Sequence, residues 1–177
     1  EILGTAQAFT TVATDINEGL SNALARLEAK IGKLEYTDSY ACSSAAGGLR
    51  MVTSGLVPEL TGEAAKLASL GAGAKVVGVY AFQLTEDDLD DIRASAPDIF
   101  LLVGGTDGGN KENILTNAAT LARSTRDFPI IIAGNRVCAD QCAEILKDKQ
   151  IHICENVMPK LDTPNVGPVQ EKIRSIF

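Results

Sequence analysis

The residues of this chain best suited to chemistry lie in one loop, Gly104-Gly105-Thr106-Asp107-Gly108-Gly109-Asn110. Paired glycines on either side of a threonine and an aspartate let the backbone turn tightly at positive φ and let a ligand approach it closely. An asparagine then stands where a helical pattern begins, and a helix N-terminus offers unpaired N–H groups to an acceptor. The chemistry this suits is hydrogen-bonded recognition, so Gly104, Gly105, Thr106, Asp107, Gly108, Gly109 and Asn110 are candidate ligand-binding residues. Asn135 and Asn156, each following another apolar run, are candidate neighbours. A plain strand-to-helix connection accounts for the same glycines equally well, with Asp107 a turn residue and Asn110 only a cap.

Other reactive groups are sparse. Cysteines stand at 42, 138, 142 and 154, a spacing unlike that of a zinc ribbon, and His152 is the sole histidine. Cys138 and Cys142, four apart on one helical face, read as small buried hydrophobes in a reducing compartment. His152 lies within Ile151-His152-Ile153-Cys154 and reads as solvent-facing or satisfied in the core. No G-x-x-x-x-G-K-[ST], no G-x-G-x-x-G after the first strand and no nucleophile elbow occurs, and no acid, base and nucleophile set is visible. No catalytic residue and no metal site is expected.

These loops need a scaffold, and from residue 51 one pattern repeats: a Val- and Ile-rich strand, a loop, a helix. Strands are predicted at Met51–Leu56, Lys75–Ala81, Asp98–Val103, Pro129–Ala133 and Ile151–Cys154. Helices are predicted at Thr61–Ala72, Thr85–Ala96, Asn110–Ser124, Asn135–Asp148 and Val166–Ile176, with Thr85 and Asp88 forming a capping box. The strand runs lack the in-out alternation of a sheet with one wet face, so both faces are covered. The expectation is an α/β, doubly wound, parallel five-stranded sheet in flavodoxin-like order 2-1-3-4-5. Its carboxyl rim then gathers residues 54–59, Phe82-Gln83, 104–110, Gly134-Asn135 and Glu155-Asn156. No Lys or Arg is expected beside Asp107, which disfavours a phosphate there.

Residues 1–48 differ in character. Gly4–Val12 and Asp38–Ser43 read as strands and Ile16–Ile31 as a helix capped by Asp15 and Glu18, too little for a complete core. Ser43, Ser44, Gly47 and Gly48, in a run of small residues, are candidates for a hinge or loop. The chain is 177 residues long, 45% hydrophobic and 22% charged, enough for one ordinary domain or one and part of another. With 16 basic and 23 acidic residues and a net charge of -7, neither nucleic acid nor an anionic membrane is an expected partner. No apolar run approaches a membrane span and no signal peptide opens the chain, so it reads as cytoplasmic. Starting at Glu1 without a methionine and entering an expected strand at once, it reads as an internal piece of a longer polypeptide.

Several long motifs resemble one family. They are Cys42-Ser43-Ser44-Ala45-Ala46-Gly47-Gly48-Leu49-Arg50-Met51, Gly55-Leu56-Val57-Pro58-Glu59-Leu60-Thr61 and Leu70-Gly71-Ala72-Gly73-Ala74-Lys75-Val76. Gly104-Gly105-Thr106-Asp107-Gly108-Gly109-Asn110-Lys111, Ala133-Gly134-Asn135 and Glu155-Asn156-Val157-Met158-Pro159 complete the set. Together they resemble the glutamate-mutase-associated MutL proteins, also called GlmL, which are unrelated to the mismatch-repair protein of the same name. The resemblance implies an actin- and sugar-kinase-like ATPase that reactivates adenosylcobalamin-dependent mutases in a chaperone-like cycle. It implies ATP and Mg for the full-length protein, on phosphate loops before residue 1 and after residue 177, and mutase subunits as partners. On it, residues 1–48 are a partial segment of the actin-like ATPase domain and 49–177 an inserted flavodoxin- or Rossmann-like module.

Two functions follow for this piece. One is a non-catalytic interaction module of the reactivating ATPase, with no cofactor of its own. The alternative is a domain binding a small ligand, cobalamin-like or a nucleotide. Against a cobalamin carrier stands the absence of an Asp-x-His-x-x-Gly motif after the first strand.

Overall fold

A computed structural model describes residues 2–11, 16–33, 36–40 and 48–177. The chain divides into two compact units, Glu1–Cys42 and Ser43–Phe177.

The first unit contains helix α1 (Ile16–Ile31). Residues 4–11 of the expected strand Gly4–Val12 pair with no other strand, and neither do residues 38–40 of Asp38–Ser43. Alternation makes a strand only where a neighbour accepts its ladder. Here the Gln7 carbonyl accepts from Arg26 Nη1 (2.8 Å) and the Thr5 carbonyl from Lys30 Nζ (3.2 Å), so α1 takes that place. Gly4 allows the close approach, since a Cβ there would stand 2.8 Å from Ile31 Cγ2. Among the described residues of this unit no apolar side chain is buried. Ser43, Ser44 and Gly47 lie outside the described residues, as does the expected cap Asp15, whereas Gly48 directly precedes the first strand.

The second unit is the expected parallel sheet. Its strands are β1 (Leu49–Gly55), β2 (Ala74–Ala81), β3 (Ile99–Leu102), β4 (Ile130–Ile132) and β5 (Ile151–Ile153), in the order β2-β1-β3-β4-β5. Between them run α2 (Pro58–Ala72), α3 (Glu86–Ser95), α4 (Glu112–Ala122) and α5 (Ala139–Ile145), and α6 (Gly167–Ile176) follows β5. All pairings are parallel, with Met51–Ser54 of β1 in register with Ile99–Leu102 of β3. All four residues of β3 are buried, which is why its sequence is continuously apolar. Phe100 and Leu102 face a core with Ile114, Leu121 and Ile130; Ile99 and Leu101 face a second core with Ala64, Ala68, Val169 and Ile173. Each buried Ile, Leu, Val or Phe side chain contributes about 1.5–3 kcal/mol, so the centre of the sheet dominates the stability of this unit.

Helix starts follow local chemistry. Thr85 and Asp88 form the expected capping box. Helix α2 begins three residues before the expected Thr61, because Pro58 takes the first-turn position where its missing N–H costs nothing. The stretch Asn135–Asp148, expected as one helix, is a 3-10 turn (Arg136–Cys138) running into the shorter α5. Fully buried Asn117 accepts from Leu84 N (2.8 Å) and donates to the Phe82 carbonyl (2.9 Å), fixing the loop after β2 on α4. Among the described residues no helix is long and apolar enough to cross a membrane.

Candidate functional site

Strand order reverses between β1 and β3, and the carboxyl ends of these neighbours open a crevice where ligands bind in such sheets. The glycine loop leaves β3 here. Its backbone is left-handed or extended at Gly104 (φ 149°), Gly105 (71°) and Gly108 (77°), conformations that glycine adopts freely. Gly134 lets the loops after β3 and β4 touch: a Cβ on it would stand 2.8 Å from the Gly104 nitrogen.

The loop is held by two buried amides. Asn135 Oδ1 accepts from Gly108 N (3.0 Å) and Val137 N (3.2 Å), while its Nδ2 donates to the carbonyls of Gly109 (3.3 Å) and Asn110 (3.1 Å). Asn156 Nδ2 donates to the Gly105 carbonyl (3.1 Å) and to Asp107 Oδ1 (2.9 Å), and Asn156 Oδ1 accepts from Met158 N (3.0 Å). Asp107 Oδ1 also accepts from Arg136 N (3.1 Å), and Arg136 Nε stands 3.7 Å from Asp107 Oδ2. The expectation of no cation beside Asp107 is therefore corrected. β3 and β4 are sheet neighbours, so the turn after β4 brings Arg136 across to the glycine loop.

The candidate residues thus come together, with their polar groups largely engaged with one another. Asn110, exposed, caps α4 by accepting from Asn113 N (3.0 Å). Thr106, half-buried, accepts at its carbonyl from Gly109 N (2.9 Å), closing the turn.

Beside this clamp lies a two-lobed cleft over the ends of β1 and β3. The larger lobe, about 250 Å³, lies toward α2, with Leu60, Thr61 and Ala64 facing Val103–Thr106, Met158 and Leu161. The smaller, about 230 Å³, lies toward α4 and is lined by Phe82, Gln83, Glu112 and Asn113; Leu56 and Asn110 line both. Neither lobe is lined by Lys or Arg. Asn113 is 4% exposed and its Oδ1 is buried with no partner among the described residues, as is Ser54 Oγ near the end of β1. Each such group costs about 1–3 kcal/mol. Phe82 holds a left-handed backbone (φ 64°), rare for an aromatic residue, and the residue is 62% exposed at the cleft. Sequence patterns missed Asn113 and Thr61, and placed Phe82 on the rim without giving it a role.

Three of the four thiols, those of Cys138, Cys142 and Cys154, lie among the described residues and Cys42 lies outside them. Cys138 and Cys142 are buried in the core, as their spacing suggested, and burial pushes the Cys142 thiol up to about 12. Cys154, half-buried after β5, is also raised by burial. In a Cys42→Ser background at pH 8, an alkylating reagent is expected to reach Cys154 before Cys142. Ionisation alone slows Cys142 roughly a thousandfold relative to an ordinary thiol. Equal labelling in the folded state would show that the core opens locally. Because the native thiol resists ionisation, this burial favours folding below about pH 9 and loses that effect as pH rises toward 12. His152 lies half-buried on edge strand β5 with Nε2 buried and unbonded among the described residues, so it is not satisfied in the core. No group of His, Cys, Asp or Glu among the described residues could hold a metal ion.

Comparison with known proteins agrees with the motifs. The family model described as MutL protein matches residues 1–177. A protein of Clostridium tetanomorphum, Protein MutL, is 50% identical over 180 residues, covering 99% of this chain. The chain spans 39% of that relative's length. With a family model matched from end to end and half of all residues shared with a named member, this chain belongs to the MutL protein family.

Proposed function

We infer that this chain serves as a non-catalytic interaction module of a chaperone-like ATPase that reactivates an adenosylcobalamin-dependent mutase of the glutamate mutase type. The observation that carries the reading is a set of exposed apolar residues on the carboxyl rim, Val57, Phe82, Val137 and Leu161, one in the connection after each of β1, β2, β4 and β5. Scattered exposed apolar residues are ordinary, but four on one rim, around a loop whose polar groups bond each other, make a contact surface. Family membership supports the rest. On this reading residues 1–48 belong to an actin-like ATPase domain and 49–177 to a module inserted in it, with ATP and Mg held elsewhere in the full-length protein.

Co-precipitation of the full-length protein with its mutase, with and without ATP, tests this. Capture that depends on nucleotide is expected, and Val137→Asp with Leu161→Asp should weaken it at least about tenfold while ATP hydrolysis persists. If the double variant binds and reactivates like the unaltered protein, the rim is not the interface. If the unaltered protein captures no mutase in either state, the reactivation reading itself fails.

A further inference from the structure

We propose that the cleft over the ends of β1 and β3 is a small-molecule site for an uncharged fused heteroaromatic ring bearing hydrogen-bond donors. The proposal does not rest on the mutase-interaction reading, although Val57, Phe82 and Leu161 of the rim also line the cleft. Its position is the topological switch point, the one place on the rim where neighbouring helices diverge to opposite faces of the sheet. The larger lobe, about 250 Å³, exceeds the roughly 150 Å³ of a cavity that takes benzene, so it has room for one to two rings. Most of its lining is apolar, and the Thr61 side chain, 4% exposed, lines it with the hydroxyl against Gly55.

The chemical class follows from what the cleft lacks and what it leaves open. Without a lining Lys or Arg, a phosphate or carboxylate would be desolvated with no counter-charge. Asn113 lines the α4-side lobe, and its Oδ1, buried and without a partner among the described residues, stands beside Gly104 of the α2-side lobe, so it calls for a donor from the ligand. Phe82, held in a left-handed conformation, offers an exposed aromatic face beside it. Leu56 and Asn110 border both lobes, so a ring seated toward α2 can extend a donor-bearing arm past them to Asn113.

Fluorine NMR titration of the full-length protein with 5-fluoroindole and 5-fluoroindole-3-acetamide tests this. Both are expected to bind saturably, the acetamide about fivefold more tightly because its amide N–H reaches Asn113. Asn113→Leu, which replaces the amide by an apolar group of similar size, should abolish that difference. Leu60→Trp, which fills the α2-side lobe, should weaken both probes at least about tenfold. Should Asn113→Leu not fold, the effect of Leu60→Trp on both probes decides. Absence of saturable binding, or binding unaltered in folded Leu60→Trp and Asn113→Leu proteins, overturns the proposal.

Discussion

Asn135→Ala is expected to destabilise the sheet unit by about 3 kcal/mol, a fall of roughly 6–12 °C in Tm. The side chain is fully buried and makes four hydrogen bonds, two accepted and two donated, all to backbone of the loops after β3 and β4. Alanine keeps the bond from Asn135 N to the Gly104 carbonyl (3.0 Å) but orphans the N–H groups of Gly108 and Val137. Residues 108–110 are exposed, so water restores part of the loss at their carbonyls, which holds the figure near 3 rather than higher. Asn135→Asp is the sharper comparison. It retains the acceptor for Gly108 and Val137 and turns a carboxylate toward the Gly109 and Asn110 carbonyl oxygens, so it should be no more stable than the alanine variant. Urea unfolding with an unchanged slope and a lower midpoint is the expected record. A midpoint for Asn135→Ala equal to that of the unaltered protein would mean that the loop keeps its shape without the amide.

That expectation differs from what the residue types alone suggest, and the reason is physical. Glycine, asparagine and aspartate on a sheet rim serve a ligand or a turn equally well, because both uses need the same donors and the same backbone freedom. Only geometry distinguishes them, and it shows Asp107 receiving Asn156 Nδ2 and Arg136 N. Arg136 was accessible to reasoning: once β3 and β4 are neighbours, the residue following Asn135 must lie near the glycine loop. Asn113 was not, since it occupies a helical stretch where an amide reads as solvated, and its burial comes from the way α4 lies on the sheet. The sheet itself was legible because unbroken apolar runs such as Ile99–Leu102 have few other homes. In residues 4–11 alternation misled, because a strand pattern carries no information on whether a partner strand exists.

Two glycine substitutions in the same loop should differ severalfold in cost. Gly105→Ala and Gly108→Ala both force alanine into the left-handed region, at φ 71° and 77°, which costs about 1–2 kcal/mol. At Gly108 nothing lies within 4 Å of the added Cβ, so that conformational cost is the whole effect. At Gly105 the Cβ would collide with the backbone carbonyl oxygen of Asn110, which cannot swing aside as a flexible side chain would. That carbonyl accepts from Asn135 Nδ2, and the Gly105 carbonyl accepts from Asn156 Nδ2, so any relief of the collision loosens both buried amides. The expected loss for Gly105→Ala is about 4 kcal/mol, against about 1 for Gly108→Ala. Thermal melts of the two variants side by side measure the difference directly. Equal melting temperatures would mean that the segment from Gly105 to Asn110 shifts without resistance, so that the two amides do not hold the loop rigid. A large gap would establish a fixed backbone wall for the adjoining cleft, since Gly105 and Asn110 both line its α2-side lobe.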